Sequence, residues 1–457
     1  NGTKHEEKLS AALRLMQDAQ NLGSVMIFDL PDAVITYIKN RYNELENKTR
    51  SFNEEIAYLN LHPFLNIILV LTQRYPATST NPPYMGQKNM NAGLKNYINA
   101  NYPLSKSDLF AVFMDSCLNL TTKNGLMGMI NQHSWMFLSS YEDLREKLLA
   151  NYCIVSMLHL GPRTFEELNG EVVQSTAFTL KVSTENIIGT YHRLVNYKNN
   201  EIKNDAFISR KNIHSNIPQS IFQKIKGSPI VYWGSDILFW LLENETPLSD
   251  KVNIRSGIST GDNDLYYRYW FEVDRNKIEW DANEEIVKNN TLISNNKWFF
   301  TIKGGENRKW FGNRESILNL EKNGAEIRES GKNFRLRTPD FYHKVGITWS
   351  RISTDNIAFR IKTKETNFGE NSPCFFLEDK KSFEFYLGLL NSKLVFYILS
   401  CINPTLTFQV IDVAKVPIKS FDETYKYNIS KLVNSAIDVA KDDWNSMETS
   451  WDYIKTQ

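Results

Sequence analysis

The tightest constraint on this chain is a reversal of direction. Between Ala77 and Lys181 the apolar pattern reads strand, helix, strand, helix, strand, strand. The last two strands, Tyr152–Leu160 and Val172–Lys181, are separated only by the eleven residues Gly161–Glu171. That length is marginal for a crossover helix and suits a loop, so these two strands are expected to run antiparallel. The earlier strands, Ala77–Thr80, Gly125–Ile130 and Tyr152–Leu160, are joined through helices and are expected to run parallel. One helix is Ser107–Leu120, with Leu109, Phe113, Cys117 and Leu120 on one face. The other runs to about Ala150 and opens at Ser139 and Glu142, which have the spacing of a capping box. This order implies one half of a mostly parallel α/β sheet with an antiparallel edge strand. Such sheets bind ligands at the carboxyl ends of their strands, and Asn81-Pro82-Pro83-Tyr84 falls there.

At 457 residues, two or three domains are expected. Residues 1–74 read as a helical region and 75–185 as the α/β block. Residues 186–235, polar and irregular, read as a linker. Residues 236–420 read as an α+β domain with short aromatic-rich strands and a helix at Phe383–Cys401, and 421–457 as an acidic helical tail. A composition of 42% hydrophobic residues, with 10 Trp, 21 Tyr and 26 Phe, excludes a disordered chain. Cys117, Cys153, Cys374 and Cys401 lie far apart with no CxxC pair, so neither a metal site nor a disulfide framework is expected, and a cytoplasmic protein is. The longest apolar stretch, Leu59–Leu71, has 13 residues interrupted by His62, Pro63 and Asn66, too short to span a membrane. No secretory signal is read, and the chain opens at Asn1, so it is expected to begin partway through a longer protein.

Charge is uneven. The net value is +1, yet Lys297–Lys364 holds 15 Lys/Arg against 7 Asp/Glu, a local surplus of +8. A basic module on a neutral protein points toward a polyanion partner, although a solvated charged face has the same signature.

Asn81-Pro82-Pro83-Tyr84 carries the chemistry. Two prolines suit any surface turn, but this string follows a strand of an α/β sheet. The lone pair of an exocyclic amine such as adenine N6 is delocalised into the ring, which makes it a poor nucleophile. Two acceptors directed at its N–H bonds favour localising that pair for attack on an electrophilic methyl group. The side-chain oxygen of Asn81 can be one acceptor and the carbonyl of Pro82, held by the stiff Pro-Pro backbone, the other. Tyr84 offers a ring face for the base, an interaction worth ~1–3 kcal/mol. The base must leave the duplex to reach such a site.

These residues resemble the catalytic half of an N6-adenine DNA methyltransferase whose target-recognition domain lies C-terminal. The resemblance extends through Ser107-Asp108-Leu109-Phe110, Asn124-Gly125-Leu126-Met127-Gly128 and Asn131-Gln132-His133-Ser134-Trp135. Arg255-Ser-Gly-Ile-Ser-Thr-Gly-Asp-Asn263 and Lys303-Gly-Gly-Glu-Asn-Arg-Lys-Trp-Phe-Gly-Asn313 are similar to the PglX-like methyltransferases of the BREX phage-defence system. Gly346-Ile-Thr-Trp-Ser350, Leu390-Asn-Ser-Lys393 and Asn403-Pro-Thr405 recur in related restriction–modification enzymes. The resemblance implies the second half of a class I, Rossmann-like methyltransferase sheet, then a recognition domain and a helical tail. It implies S-adenosylmethionine as methyl donor, double-stranded DNA as partner together with other defence subunits, and no membrane. It places catalysis at Asn81, Pro82, Pro83 and Tyr84, with Phe165 as a second aromatic against the flipped base, and the cofactor beside Asp108 and Phe110. The family's glycine-rich cofactor loop has no match, since Gly2 and Gly23 are the only glycines before Asn81. That loop and the first strands are therefore expected before Asn1.

In the basic region, Arg255, Lys303, Arg308, Lys309, Arg335 and Arg337 are the expected DNA contacts, chiefly to phosphates. Gly257, Gly261, Gly304 and Gly305 would let backbone approach them. Two other readings stay open: a DNA-binding specificity module without activity of its own, and a restriction–modification fragment. A nuclease-bearing enzyme would need an acidic nuclease motif, and none is read here.

Overall fold

The computed structural model describes residues 2–165, 173–185, 187–353 and 356–453. They form two compact units that divide between Trp233 and Gly234.

The first unit opens with helices α1 (Gly2–Leu15), α2 (Asp32–Glu46) and α3 (Phe52–Thr72). α3 starts where Ser51 and Glu54 cap each other: Ser51 Oγ accepts from Glu54 N, and Glu54 Oε2 accepts from Ser51 N at 3.0 Å. One side of α3 packs Ile68, Leu65 and Leu69 into a core with Met16, Val34 and Ile38. The other side leaves Phe52 81% and Leu59 63% exposed. The apolar stretch at Leu59–Leu71 thus belongs to a helix of 21 residues, which by length and composition could cross a membrane.

The chain continues through β1 (Tyr75–Thr80), α4 (Ala92–Asn101), α5 (Leu109–Leu120), β2 (Thr121–Gln132), α6 (Glu142–Asn151), β3 (Cys153–Gly161) and β4 (Ser175–Lys181). It ends with β5 (Ile188–Arg193), α7 (Asn200–Ile208) and β6 (Ile213–Pro218). The six strands form one sheet in the order β1-β2-β4-β3-β5-β6. β1 and β2 are parallel, as are β3 and β5. β4 is antiparallel to β2 on one side and to β3 on the other. Gly125 lets β2 approach β1 closely, since a Cβ there would lie 2.8 Å from Pro76 O. Phe110, Met114, Met127, Trp135, Phe178 and Tyr191 form the core beneath this sheet.

Three expectations are corrected here. The reversed strand is interior rather than at the edge: β4 slots between its two predecessors and hydrogen-bonds to both, and the expected start at Val172 lies outside the described residues. Much of the stretch read as a linker is sheet and core instead. β5 and β6 extend the sheet, and Tyr191, Phe222 and Tyr232 are buried. Ser139–Tyr141 forms a 3-10 turn, and α6 begins behind Tyr141 with no side-chain cap.

The second unit contains α8 (Asp236–Asn244), β7 (Asn253–Arg255), β8 (Tyr267–Tyr269), β9 (Ile278–Glu279), β10 (Trp298–Ile302), β11 (Ser316–Asn319), β12 (Gly346–Trp349), β13 (Phe359–Lys362), β14 (Asn367–Phe368) and β15 (Cys374–Phe376). Helices α9 (Phe383–Leu390), α10 (Lys393–Ile402) and α11 (Glu423–Asn445) follow. One sheet runs β9-β10-β11-β8, with β14 also pairing to β10, and another runs β13-β12-β15-β7. The helix expected over Phe383–Cys401 breaks at Asn391. That side chain leaves the helical path, accepting from Phe359 N at 3.0 Å and donating to Phe359 O at 2.8 Å.

Candidate active site

β1 ends at Thr80, and the chain turns out of the sheet through Asn81-Pro82-Pro83-Tyr84. Pro82 is buried, Asn81 and Pro83 are exposed, and Tyr84 is half-buried. The prolines remove two N–H donors and stiffen the exit, and the residues just beyond are pinned to α5. Asp108 Oδ1 accepts from Met85 N at 3.0 Å and from Phe110 N at 3.2 Å, so one carboxylate both anchors the loop and caps the helix. Leu109 N donates to Met85 O at 3.0 Å, and Gln87 N to Ser107 O at 3.2 Å. Burial raises the Asp108 carboxyl pKa, and the backbone N–H groups that donate to it pull the other way.

The Tyr84 ring stands edge-on to Phe110 at 6.1 Å, and Phe110 lies 5.7 Å from Tyr141. Among the described residues no hydrogen bond of good geometry reaches the buried Tyr84 hydroxyl or that of Ser175 at the start of β4. Burial raises the Tyr84 pKa, and the nearby Ser175 hydroxyl lowers it. Beside Asn81, a depression of about 440 Å³ lies over the strands, floored by Ser79, Gly128, Ser156 and Ala177.

Sequence reasoning did not single out the imidazole cluster at the ends of β2 and β3. His133 Nδ1 and His159 Nε2 share a hydrogen bond of 2.8 Å, and His159 Nδ1 lies 3.1 Å from the Tyr232 hydroxyl. Burial brings the His133 pKa down to about 4. It also lowers His159 well below the usual value, helped by His133 and Arg193. The available signal was a histidine directly after one buried strand and another near the end of the next.

Asn81, Pro82, Pro83, Tyr84, Asp108 and Phe110 thus come together. Phe165 is half-buried beyond β3, and among the described residues no ring contact joins it to Tyr84. Of the two residues expected to hold S-adenosylmethionine, Phe110 is fully buried, and Asp108 Oδ1 is engaged by two amides. The outer edge of β1 has no strand beside it among the described residues. The described residues therefore do not make a complete cofactor site.

The expected DNA contacts in the second unit divide. Arg308 pairs with Asp443 at 2.9 Å and lies 5.3 Å from the Trp444 ring, while Lys309 Nζ donates to Asn391 O at 3.1 Å. Both tie their segment to helices. Arg255 donates to Ile254 O at 3.1 Å and sits 4.9 Å from the Phe341 ring. Lys303 and Arg335 are exposed, and Arg337 is partly so.

The profile of the Eco57I restriction-modification methylase family matches residues 9–165. Across 98% of its length the chain is 36% identical to the adenine-specific methyltransferase BrxX of Escherichia coli O9:H4 (strain HS). Across 97% it is 34% identical to the adenine-specific methyltransferase PglX of Lacticaseibacillus casei (strain Zhang). Its curated relatives are adenine-specific methyltransferases. The chain spans 36% of the length of BrxX and 38% of that of PglX. Among solved structures, the Type IIL restriction-modification enzyme MmeI in complex with DNA is similar in fold over 82% of this chain and 50% of its own, with a TM-score of 0.54 at 12% identity. A nuclease-deletion mutant of the Type ISP enzyme LlaGI is similar over 88% of this chain and 38% of its own, with a TM-score of 0.52 at 14% identity.

Proposed function

We propose that this chain carries the base-activating half of a site-specific DNA adenine N6-methyltransferase, with target recognition in residues 234–457 and a role in BREX-type phage defence. The observation that carries the reading is the pinned loop: an exposed Asn81 and a half-buried Tyr84 at the carboxyl end of a parallel strand, fastened through Met85 to Asp108. A flipped adenine stacks on Tyr84. Asn81 Oδ1 and Pro82 O accept hydrogen bonds from its two N6 N–H groups and favour localising the amine lone pair for attack. S-adenosylmethionine supplies the methyl group. Flipping costs a few kcal/mol of unstacking, which stacking on Tyr84 offsets in part.

Its incomplete cofactor site favours a second reading of residues 1–457 taken alone, as a DNA-binding module without activity. On either reading calorimetry on this chain should find no tight S-adenosylmethionine site. A micromolar dissociation constant would show that other residues here complete the pocket. In the native protein that contains these residues, Asn81→Ala should lower methylation by about 100-fold or more, the scale seen when one preorganised polar group is lost. Near-normal methylation in that variant would overturn the assignment.

A further inference from the structure

Two sequence strings, Arg255–Asn263 and Lys303–Asn313, share no obvious chemistry, but the fold lays both against the same short segment. Ile258 N donates to Phe368 O at 2.9 Å, and Glu370 N to Ile258 O at 2.7 Å. Gly369 N donates to Ile302 O at 2.8 Å, and Arg351 N to Asn371 O at 2.8 Å. Ser259 and Arg335 exchange backbone hydrogen bonds of 3.0 and 2.7 Å. Close packing makes this meeting point specific: a Cβ on Gly257 would lie 2.2 Å from Phe368 O, and Gly304 turns at φ +110°.

Two arginines from separate segments flank one carboxylate here, with Lys303 and Arg335 on adjoining turns. Arg337 Nη1 lies 3.7 Å and Arg351 Nη1 3.6 Å from Glu370 Oε1. These separations are too long for strong hydrogen bonds, so Glu370 orients two guanidinium groups while leaving most of their donors available. Arg337 also donates to Ser256 Oγ at 3.0 Å, which fixes one side of its fork. Arg335 is exposed, and its side chain has no hydrogen bond or ion pair among the described residues. Lys303 is exposed, 5.1 Å from the Tyr267 ring. Beyond Lys303, Glu272 and Glu315 line a neighbouring cavity of about 350 Å³. Asp262 is taken by Lys332.

We propose that Arg337 and Arg351, flanking Glu370, form with Lys303 and Arg335 on the adjoining turns a cradle for the phosphodiester backbone of duplex DNA. This rests on the DNA-methyltransferase reading above and names which part of the second unit grips the duplex. Paired guanidinium groups present planar forks that match phosphate oxygens, and contacts to phosphate position a duplex without reading its sequence.

The test is the affinity of the 457-residue chain for a duplex of arbitrary sequence, measured against salt. Each lost phosphate contact should flatten the plot of log affinity against log salt by about 0.9. Arg337→Ala with Arg351→Ala should flatten it by roughly 1.8 for every duplex alike. Arg335→Ala, which removes an exposed side chain with no partner among the described residues, should flatten it by about 0.9 even if the double variant fails to fold. Arg308→Ala with Lys309→Ala should leave the slope unchanged. An unchanged slope in Arg335→Ala and in the folded double variant would overturn the cradle while leaving DNA binding intact. An unsubstituted chain with no salt-dependent binding would overturn the DNA reading itself.

Discussion

The motif loop of the first unit and the basic stretch of the second make opposite use of their polar residues. Around Asn81 a few polar contacts are spent on holding one loop still, and the residues with chemical potential are left facing outward. In Lys297–Lys364 a large part of the cation surplus is spent inside the fold. Arg360 and Lys362, on the buried strand β13, are fully enclosed, and burial lowers their pKa values to about 10 and about 8. Arg314, its side chain 5% exposed, faces Glu365 and Asp452. Arg308 and Lys309 tie the segment to helices. A count of charges therefore overstates the surface that a polyanion meets, whereas a four-residue motif at a strand end understates how much structure supports it.

Titration gives the largest expected effect. The first unit encloses a hydrogen-bonded imidazole pair, His133 and His159, besides Arg145, whereas the second encloses Arg360 and Lys362 besides His343. His133 titrates at about 4 when folded against an ordinary 6.5, so the unfolded chain takes up the proton first as pH falls. Stability of the first unit should therefore decline from about pH 6.5 toward about pH 4, by on the order of 3 kcal/mol from this group, and level off below. His159 is shifted in the same direction and adds to the decline. Urea unfolding at a series of pH values checks this, and His133→Gln should flatten the profile. A profile indifferent to that substitution would break the contrast.

The next effect in size concerns the loop anchor. Asp108→Ala removes the cap of α5 and the acceptor for Met85 N, and should cost about 1–2 kcal/mol in denaturant unfolding. It should also lower the methylation rate, because the Asn81–Tyr84 segment loses its tether, and Asp108→Asn should restore part of both. Arg308→Ala should show the smallest effect. It should lose up to about 1 kcal/mol of stability through the broken Asp443 pair, with no change in affinity for DNA. A weaker affinity there would return Arg308 to the DNA-facing set.

How much was legible follows from where each signal resides. The strands at Gly125–Ile130 and Tyr152–Leu160 could be read because they are largely apolar runs, and α5 announces its start with Asp108. β1, a polar and partly exposed strand, showed only as a short approach to the motif. The position of β4 between β2 and β3 could not be read, because strand order depends on the path of the connecting loop rather than on its length. β5 and β6 were hidden by their composition, since Gly189, His192, His214 and Asn216 interrupt the apolar alternation that marks a strand. The motif residues were legible because their chemistry is local. Glu370 and Arg351 were not, because their role arises only when β14 brings distant turns together. Asp108 was found for the cofactor, and its hydrogen bonds give it a further part that the sequence did not show, anchoring the loop and capping the helix.

The central claim is a division of labour: chemistry at the loop of the first unit, grip at the arginines of the second. The direct measurement is single-turnover methylation at saturating DNA, alongside Kd for the same duplex, in the native protein containing these residues. Asn81→Ala should lose the rate and keep Kd, whereas Arg337→Ala with Arg351→Ala should raise Kd and keep the saturating rate. A loss of rate at saturation in the arginine variant, or unimpaired methylation in Asn81→Ala, would contradict the account.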